Sequence, residues 1–445
     1  MSLPAGTSQG LGVAGADLPG GTLAASGGDP SLAGETCLAD CLGRAPVDTL
    51  MRPIASLLAD EMGRRRGAAL QAQTWRGWHP ATGIDEDGLG VDSLERLQLA
   101  ARVTRAFELH RSGVEDYLLI ERSLGAWCEI VAEGLRRVPT GTDPHLAFDT
   151  SGSTGDPKTV SHAATDLLAE VACQRSLFPG VQRVVSLVPP HHIYGFLFTV
   201  LGPAMHGWPV EDLCGGAPAA LARLAGNGDL VIATPFLWSV FLQSGARLGP
   251  GIRGVSSTAP APPALWRDLA QAGLGALTEI YGATETAGIG YRSEPDIGFL
   301  PLPHIAMQEA DPPVFHRRGT GLRLAPPDRL VRAGVGRFSV LGRADHAVQI
   351  GGVTVHPERV RRALMADPAV QDCAVRLHAT GTAQRLKAFV VPADRRRLAQ
   401  PEAFAAVLRQ QAVRVLSPPE RPVSFTIGRT IPLDPLGKPA DWQPE

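Results

Sequence analysis

Lysine is almost missing from this sequence: of 42 basic residues only Lys158, Lys387 and Lys438 are lysine. Where arginine serves for generic positive charge, a retained lysine invites a chemical reason, because a compact ammonium does work that a planar guanidinium does not. Three in so many is also open to chance, and Lys387 is the lysine best explained that way. No sign of charge prevails either. The 42 basic and 44 acidic residues leave a formal net charge of −2, which excludes the footprint of a nucleic-acid or anionic-membrane binder. No stretch approaches the roughly 20 apolar residues of a membrane span, and no basic segment precedes an apolar core near the start. A cytoplasmic protein with no membrane or nucleic-acid partner is expected. The six cysteines (Cys37, Cys41, Cys128, Cys173, Cys214 and Cys373) are scattered without zinc-ligand spacing, so reduced thiols are expected.

What is present is a chain of 445 residues, 44% of them apolar, with 50 glycines and 38 prolines. That is too long for one compact core and suits two or three domains. Residues 1–46 are rich in Gly, Ala, Ser and Pro without a period of 3.6 or 2, and read as a disordered leader. Leu50, Ile54, Leu57, Leu58 and Met62 then fall at helical spacing, as do Leu94, Leu97, Val103 and Phe107, and Leu124, Trp127, Ile130 and Val131. They predict a small helical domain over 47–137. From His145 short apolar runs such as Val184–Pro189 and Leu230–Ala233 alternate with helical segments such as Ala163–Gln174 and Pro263–Ala272. That alternation predicts an α/β core over 138–343 with a largely parallel sheet. The order strand, helix, strand, strand, helix from Asp345 predicts a small α+β lid over 344–445.

The strongest local signal is Phe148-Asp149-Thr150-Ser151-Gly152-Ser153-Thr154-Gly155-Asp156-Pro157-Lys158. Hydroxyls and glycines packed this densely after an apolar strand make a loop whose N–H groups converge on phosphate oxygens, with a lysine to offset charge. It is not the Walker loop, which ends Gly-Lys-Ser/Thr.

This string closely resembles the signature loop of the adenylate-forming superfamily of acyl-CoA synthetases, aryl-acid ligases, adenylation domains and luciferases. Further matches follow in the family's order: Pro190-His191-His192-Ile193-Tyr194-Gly195, Tyr281-Gly282-Ala283-Thr284-Glu285-Thr286, Ala325-Pro326-Pro327-Asp328, Leu341-Gly342-Arg343-Ala344-Asp345 and Pro432-Leu433-Asp434-Pro435-Leu436-Gly437-Lys438. The resemblance implies an ATP site built from Thr150, Ser151, Gly152, Ser153, Thr154, Gly155, Lys158, Tyr281, Asp328 and Arg343. It implies that His192 gates the acyl pocket, that Thr284 contacts the α-phosphate and that Glu285 holds Mg²⁺. Asp345 would be the hinge of the lid, and Lys438 the catalytic lysine it delivers. Joining a carboxylate to the α-phosphorus of ATP gathers negative charge, and Lys438, Mg²⁺ on Glu285 and the hydroxyl-rich loop are the available means of offsetting it.

Leu89-Gly90-Val91-Asp92-Ser93-Leu94, with the helices around it, is similar to acyl carrier proteins, in which the serine receives 4′-phosphopantetheine. Ser93 is thereby the candidate attachment point, although Asp and Ser also begin helices as ordinary caps. Two departures stand out. The region before the phosphate loop is short for the family, and Gln349 stands where many relatives have lysine after the hinge.

The expected activity is a two-step ligase. A carboxylic acid, aryl and hydroxybenzoate-like as in aryl polyene pathways, or acyl, is activated as its adenylate and passed to a pantetheine thiol of an acyl carrier protein. Free CoA as acceptor, a self-loading carrier holding its acyl group on Ser93, and a non-catalytic pseudo-ligase are the alternatives.

Overall fold

Helix α1 (Val47–Arg66) buries the apolar stripe Leu50, Ile54, Leu57, Leu58 and Met62 that its sequence spacing predicts. The computed structural model describes residues 37–66, 74–139, 141–150, 158–344, 347–380, 383–432 and 442. Part of the expected leader belongs to the fold: a helical turn at Ala39–Gly43 follows Leu38, and Leu38 and Leu42 are buried. Arg136 donates to the Gly43 carbonyl and holds this turn in place.

Helix α2 (Ser93–Phe107) starts where Asp92 accepts a hydrogen bond from Glu95 N at 2.7 Å, and Glu95 in return accepts from Asp92 N. The Asp-Ser pair is thus a capping box, which satisfies backbone donors left over at a helix start. Of the four apolar residues whose spacing predicts α2, two are buried and two are not. Leu94 and Leu97 are 62% and 50% exposed, while Leu99, Ala100, Arg102, Val103 and Phe107 are buried. A one-turn helix α3 (Tyr117–Ile120) leads to α4 (Leu124–Arg136), capped by Ser123, with Leu124, Trp127 and Val131 buried.

Strands β1 (His145–Asp149) and β2 (Thr159–Ala163) form an antiparallel hairpin, followed by α5 (Ala164–Ala172). The main sheet contains β3 (Arg183–Ser186), β4 (Val210–Asp212), β5 (Asp229–Ala233), β6 (Arg253–Ser256), β7 (Ala276–Ala283), β8 (Ala287–Arg292) and β9 (Leu300–Pro301), in the order β4-β3-β5-β6-β7-β8-β9. The pairings from β4 to β7 are parallel and those from β7 to β9 antiparallel. Val184, Val185, Val231 and Ile232 are fully buried, as strands covered on both faces must be.

The helices before residue 137 do not close on themselves. Leu50, Leu99 and Trp127 belong to the same buried cluster as Phe148, Val184 and Ile280. Arg52 of α1 donates to Asp212 at 2.8 Å and to the Thr199 carbonyl at 2.7 Å, tying α1 to β4 and to the helical segment that follows His192. The boundary expected at 137/138 is therefore crossed by one continuous core. A few short helices offer each other too little surface to cover their apolar faces, and the hairpin and sheet supply the rest.

The C-terminal unit has a core of its own. Strands Val370–Thr380 and Ala383–Pro392 pair antiparallel, and Ser424–Ile427 adds in parallel, with helices Pro357–Met365 and Pro401–Val415. The order matches the α+β unit predicted from sequence, plus the strand at 424–427, which is too short and proline-flanked to have been read. Because the N-terminal helices share the core of the sheet, a fragment of residues 37–139 should show no cooperative thermal transition by circular dichroism. A sharp two-state melt would mean that it is self-sufficient.

Candidate functional site

In an open α/β sheet, ligands bind beyond the carboxyl ends of the parallel strands. Several of the singled-out segments converge there. Tyr194 donates its hydroxyl to the carbonyls of Ala233 and Val255, at 3.0 and 3.2 Å, which pins the His191-His192 turn over the ends of β5 and β6. Thr284 and Glu285 form the turn between β7 and β8. Thr150 and Lys158 close the β1–β2 hairpin: Thr150 N donates to the Lys158 carbonyl at 2.8 Å, and Lys158 N to Thr150 Oγ1 at 3.3 Å.

Strand alternation sends Phe148 and His162 to one face of the hairpin and Asp149, Thr159 and Ser161 to the other. On the first face His162 Nε2 lies 2.7 Å from the Thr284 carbonyl. A carbonyl only accepts, so Nε2 carries the proton. Burial also lowers the pKa of this histidine, which keeps the ring neutral. The hairpin and the Thr284-Glu285 turn are thus joined by a direct bond. A surface groove of about 410 Å³, lined in part by Leu97, Thr104, Thr159 and Ser161, lies on the second face and so away from that turn.

Tyr281 on β7 donates to Asp328 Oδ2 at 2.8 Å, and Asp328 is paired across an antiparallel ladder with Arg343. Burial and then the Asp328 carboxylate push the phenol well above its ordinary value, so the hydroxyl stays protonated and keeps donating. Tyr281, Asp328 and Arg343 therefore stand together. His192 is exposed at the start of helix Ile193–Phe196, its ring centroid 4.2 Å from that of His191, while His191 Nδ1 is 2.7 Å from Ser56 Oγ of α1. Ser93 is not part of this gathering. It is exposed at the first turn of α2. Ser151, Gly152, Ser153, Thr154, Gly155, Asp345 and Lys438 lie outside the described residues. Gln349 donates to Thr354 Oγ1 at 2.8 Å, a link within its own two-stranded ribbon.

Several supporting residues carried no motif. Arg317 donates to the Thr286 carbonyl at 3.0 Å and pairs with Asp166 at 3.1 Å. Glu170 accepts from Gly288 N at 2.9 Å and lies 3.7 Å from His304. Buried charges this dense behind a site hold its turns, and only the scatter of Asp166 and Glu170 along an otherwise apolar helix hinted at them. Burial pushes Glu170 up to about 7, against the Gly288 N–H and Arg317, and pushes His304 down to about 3.

The lysine without a motif also has a structural role. Lys387 is 3% exposed, donates to the Trp442 carbonyl and stands 5.0 Å from the centre of the Trp442 ring, which meets Phe389 at 5.7 Å.

A doubly wound sheet with a site at its carboxyl edge and a separate C-terminal unit defines the adenylate-forming fold. Solved structures agree: an amide bond synthetase from Marinactinospora thermotolerans superposes with a TM-score of 0.56 over 87% of this chain and 92% of that one, at 19% identity. The o-succinylbenzoate CoA synthetase of Bacillus subtilis does so with a TM-score of 0.58 over 88% and 91%, at 16% identity. The family described as AMP-binding enzyme matches residues 95–314. A protein of Rhodobacter capsulatus named 4-coumarate–CoA ligase is 41% identical over 88% of this chain and 99% of its own length. One of the same name from Halorhodospira halophila is 37% identical over 88% and 98%. The chain belongs to the AMP-binding, adenylate-forming enzymes and is an AMP-forming acid–thiol ligase. The family match begins at Glu95, inside α2, so α3, α4 and most of α2 fall within it while α1 does not.

Two measurements test the supports. Glu170 holds its proton more tightly when folded, so its contribution to stability is present below about pH 4.5 and is lost as pH rises through about 7. Glu170→Gln, which still accepts from Gly288, should therefore gain on the parent in urea melts as pH rises from 4.5 to 7 and stay level above. Trp442→Ala should lower the stability of the C-terminal unit by about 3 kcal/mol, read from its melting transition.

Proposed function

We propose that the protein activates a hydroxycinnamate-type aryl acid with ATP and passes the acyl group to free CoA. The observation that carries this reading is the 41% identity to a 4-coumarate–CoA ligase across 99% of that relative's length. CoA is preferred over a carrier protein because the helices that resemble a carrier share the ligase core, and α3, α4 and most of α2 fall within the family match. A carrier delivers its phosphopantetheine arm by moving as a unit, whereas Ser93 begins a helix bound at two points to the β1–β2 hairpin. The arrangement does not suit that group, and no step is assigned to it. A hydroxybenzoate-like acid remains the competing substrate and forms one arm of the test.

In the first half-reaction a carboxylate oxygen attacks the α-phosphorus of ATP and pyrophosphate leaves. The chain's task is to hold two anions together and offset the charge that builds up. The hairpin loop from Thr150 to Gly155, with Lys158, would surround the outer phosphates. The Thr284 hydroxyl would meet the α-phosphate, and Asp328, with Arg343 beside it, the ribose. Glu285 is exposed on its turn and offers a single carboxylate that would hold Mg²⁺, which would supply charge neutralisation there. Lys438 would complete the neutralisation, with Asp345 as the hinge that brings it in. In the second half-reaction the thiol sulfur attacks the acyl carbon, AMP leaves, and the thiol proton is released. His192 would border the acid pocket as its gate, seated by the Ser56–His191 bond behind it.

The experiment is thioester formation from ATP, CoA and a panel containing 4-coumarate and 4-hydroxybenzoate. 4-Coumaroyl-CoA should dominate. Lys438→Ala should lower pyrophosphate exchange by about 10²-fold or more, and Ser93→Ala should leave turnover unchanged. A preference for hydroxybenzoate would overturn the substrate assignment. Loss of turnover in Ser93→Ala would favour the carrier arm.

A further inference from the structure

The β1–β2 hairpin carries the phosphate loop, yet two short strands are only marginally stable in isolation. Something must fix its base, and on the face away from Thr284 the tie nearest the loop is one carboxylate. Asp149 is the last residue of β1, immediately before Thr150. Its Oδ2 lies 2.7 Å from Arg102 Nη1, and its Oδ1 accepts from Thr159 Oγ1 at 2.8 Å. Both oxygens are therefore engaged, one by α2 and one by the partner strand. Both side chains of the Arg102–Asp149 pair are about 6% exposed. Glu61 of α1 stands 3.8 Å from Arg102 Nε on the far side. A second tie from α2 runs from Glu108 at its C-cap to the Ser161 hydroxyl.

The pair does not itself form a substrate pocket. The cavity beside Arg102, Asp149 and His191 measures about 20 Å³, room for one water and for no part of a nucleotide. Nor is a buried ion pair a strong stabiliser, since desolvation offsets most of the attraction and apolar replacements of both partners are often neutral. What the pair does supply is direction: a charged, two-point grip fixes where β1 ends and the loop begins.

We propose that Arg102 and Asp149 are positioning residues for ATP, setting Thr150 and Lys158 at the end of the hairpin against the Thr284-Glu285 turn that His162 holds from the other face. The inference rests on the ligase reading above and concerns the nucleotide alone. The hairpin is clamped between α2 and the β7–β8 turn, which fixes the positions of Thr150 and Lys158 at its end.

The test measures ATP affinity by calorimetry without any acid, the KM for ATP in pyrophosphate exchange, transfer to CoA from preformed acyl-adenylate, and Tm. The double variant Arg102→Met/Asp149→Leu removes the grip without leaving a buried charge. It should keep its Tm within about 4 °C while ATP affinity falls roughly 10- to 100-fold, with the KM for the acid and the transfer half-reaction held within about twofold of the parent. Arg102→Lys should recover part of the affinity. Thr159→Val, a near-isosteric change at an exposed position, covers the case in which the double variant does not fold, and should raise the KM for ATP several-fold at unchanged Tm. ATP affinity within twofold of the parent in a folded double variant, or in Thr159→Val if the double variant does not fold, overturns the proposal. A parent that binds ATP but activates no aryl acid would instead refute the substrate reading, with this inference still decided by the affinities.

Discussion

A loop that binds phosphate through backbone N–H groups works only if those groups are already aimed, because donors that must reorganise return little of their electrostatic gain. Everything before the main sheet can be read as serving that constraint. The loop proposed to meet the phosphates is borne by a hairpin of two short strands. It is held on one face by Arg102 and Glu108 of α2 and on the other by His162 against the Thr284 carbonyl. The helices cannot then be a loosely attached module. Their core is continuous with the sheet, because a clamp transmits position only if its own base is fixed.

The same logic explains the cluster behind the β7–β8 turn. Arg317 holds the Thr286 carbonyl and Glu170 the Gly288 N–H, so the backbone on the C-terminal side of Thr284 and Glu285 is fixed at successive points. Burying Glu170 and His304 without full pairing costs stability, as their opposite pKa shifts indicate. A fold under selection for stability alone would replace them with apolar residues. Their place beneath the turn proposed to meet the α-phosphate and Mg²⁺ fits a site whose geometry is held at some cost.

The ordered motifs and the elements of the C-terminal unit were legible in the sequence because each is local: hydroxyls and glycines within one loop, apolar periodicity within one helix. What was not legible depends on distant partners. Of the apolar residues at helical spacing in α2, Val103 and Phe107 turn inward while Leu94 and Leu97 do not, and the buried face also carries Arg102, whose partner Asp149 lies at the end of β1. The Asp92-Ser93 pair illustrates the reverse ambiguity. One dipeptide serves either as a prosthetic-group site or as a helix start, and the capping box with Glu95 accounts for it without a prosthetic group.

The scarcity of lysine was informative, but it misjudged which lysine was incidental. Lys387 looked like chance because nothing in its local sequence asks for an ammonium. In the fold it lies under Trp442 and donates to that residue's carbonyl, buried in the sheet of the C-terminal unit. Ile431 packs against the same aromatic cluster. Ile431 and Trp442 thus anchor to one patch from either side of the segment containing Lys438. A planar guanidinium with five donors would leave several of them unsatisfied in so closed a place, whereas a compact ammonium fits with few partners. An Arg-rich sequence therefore keeps lysine here for a packing reason, by the same property that suits Lys438 to its proposed work: a point charge that can be brought close to a single oxygen.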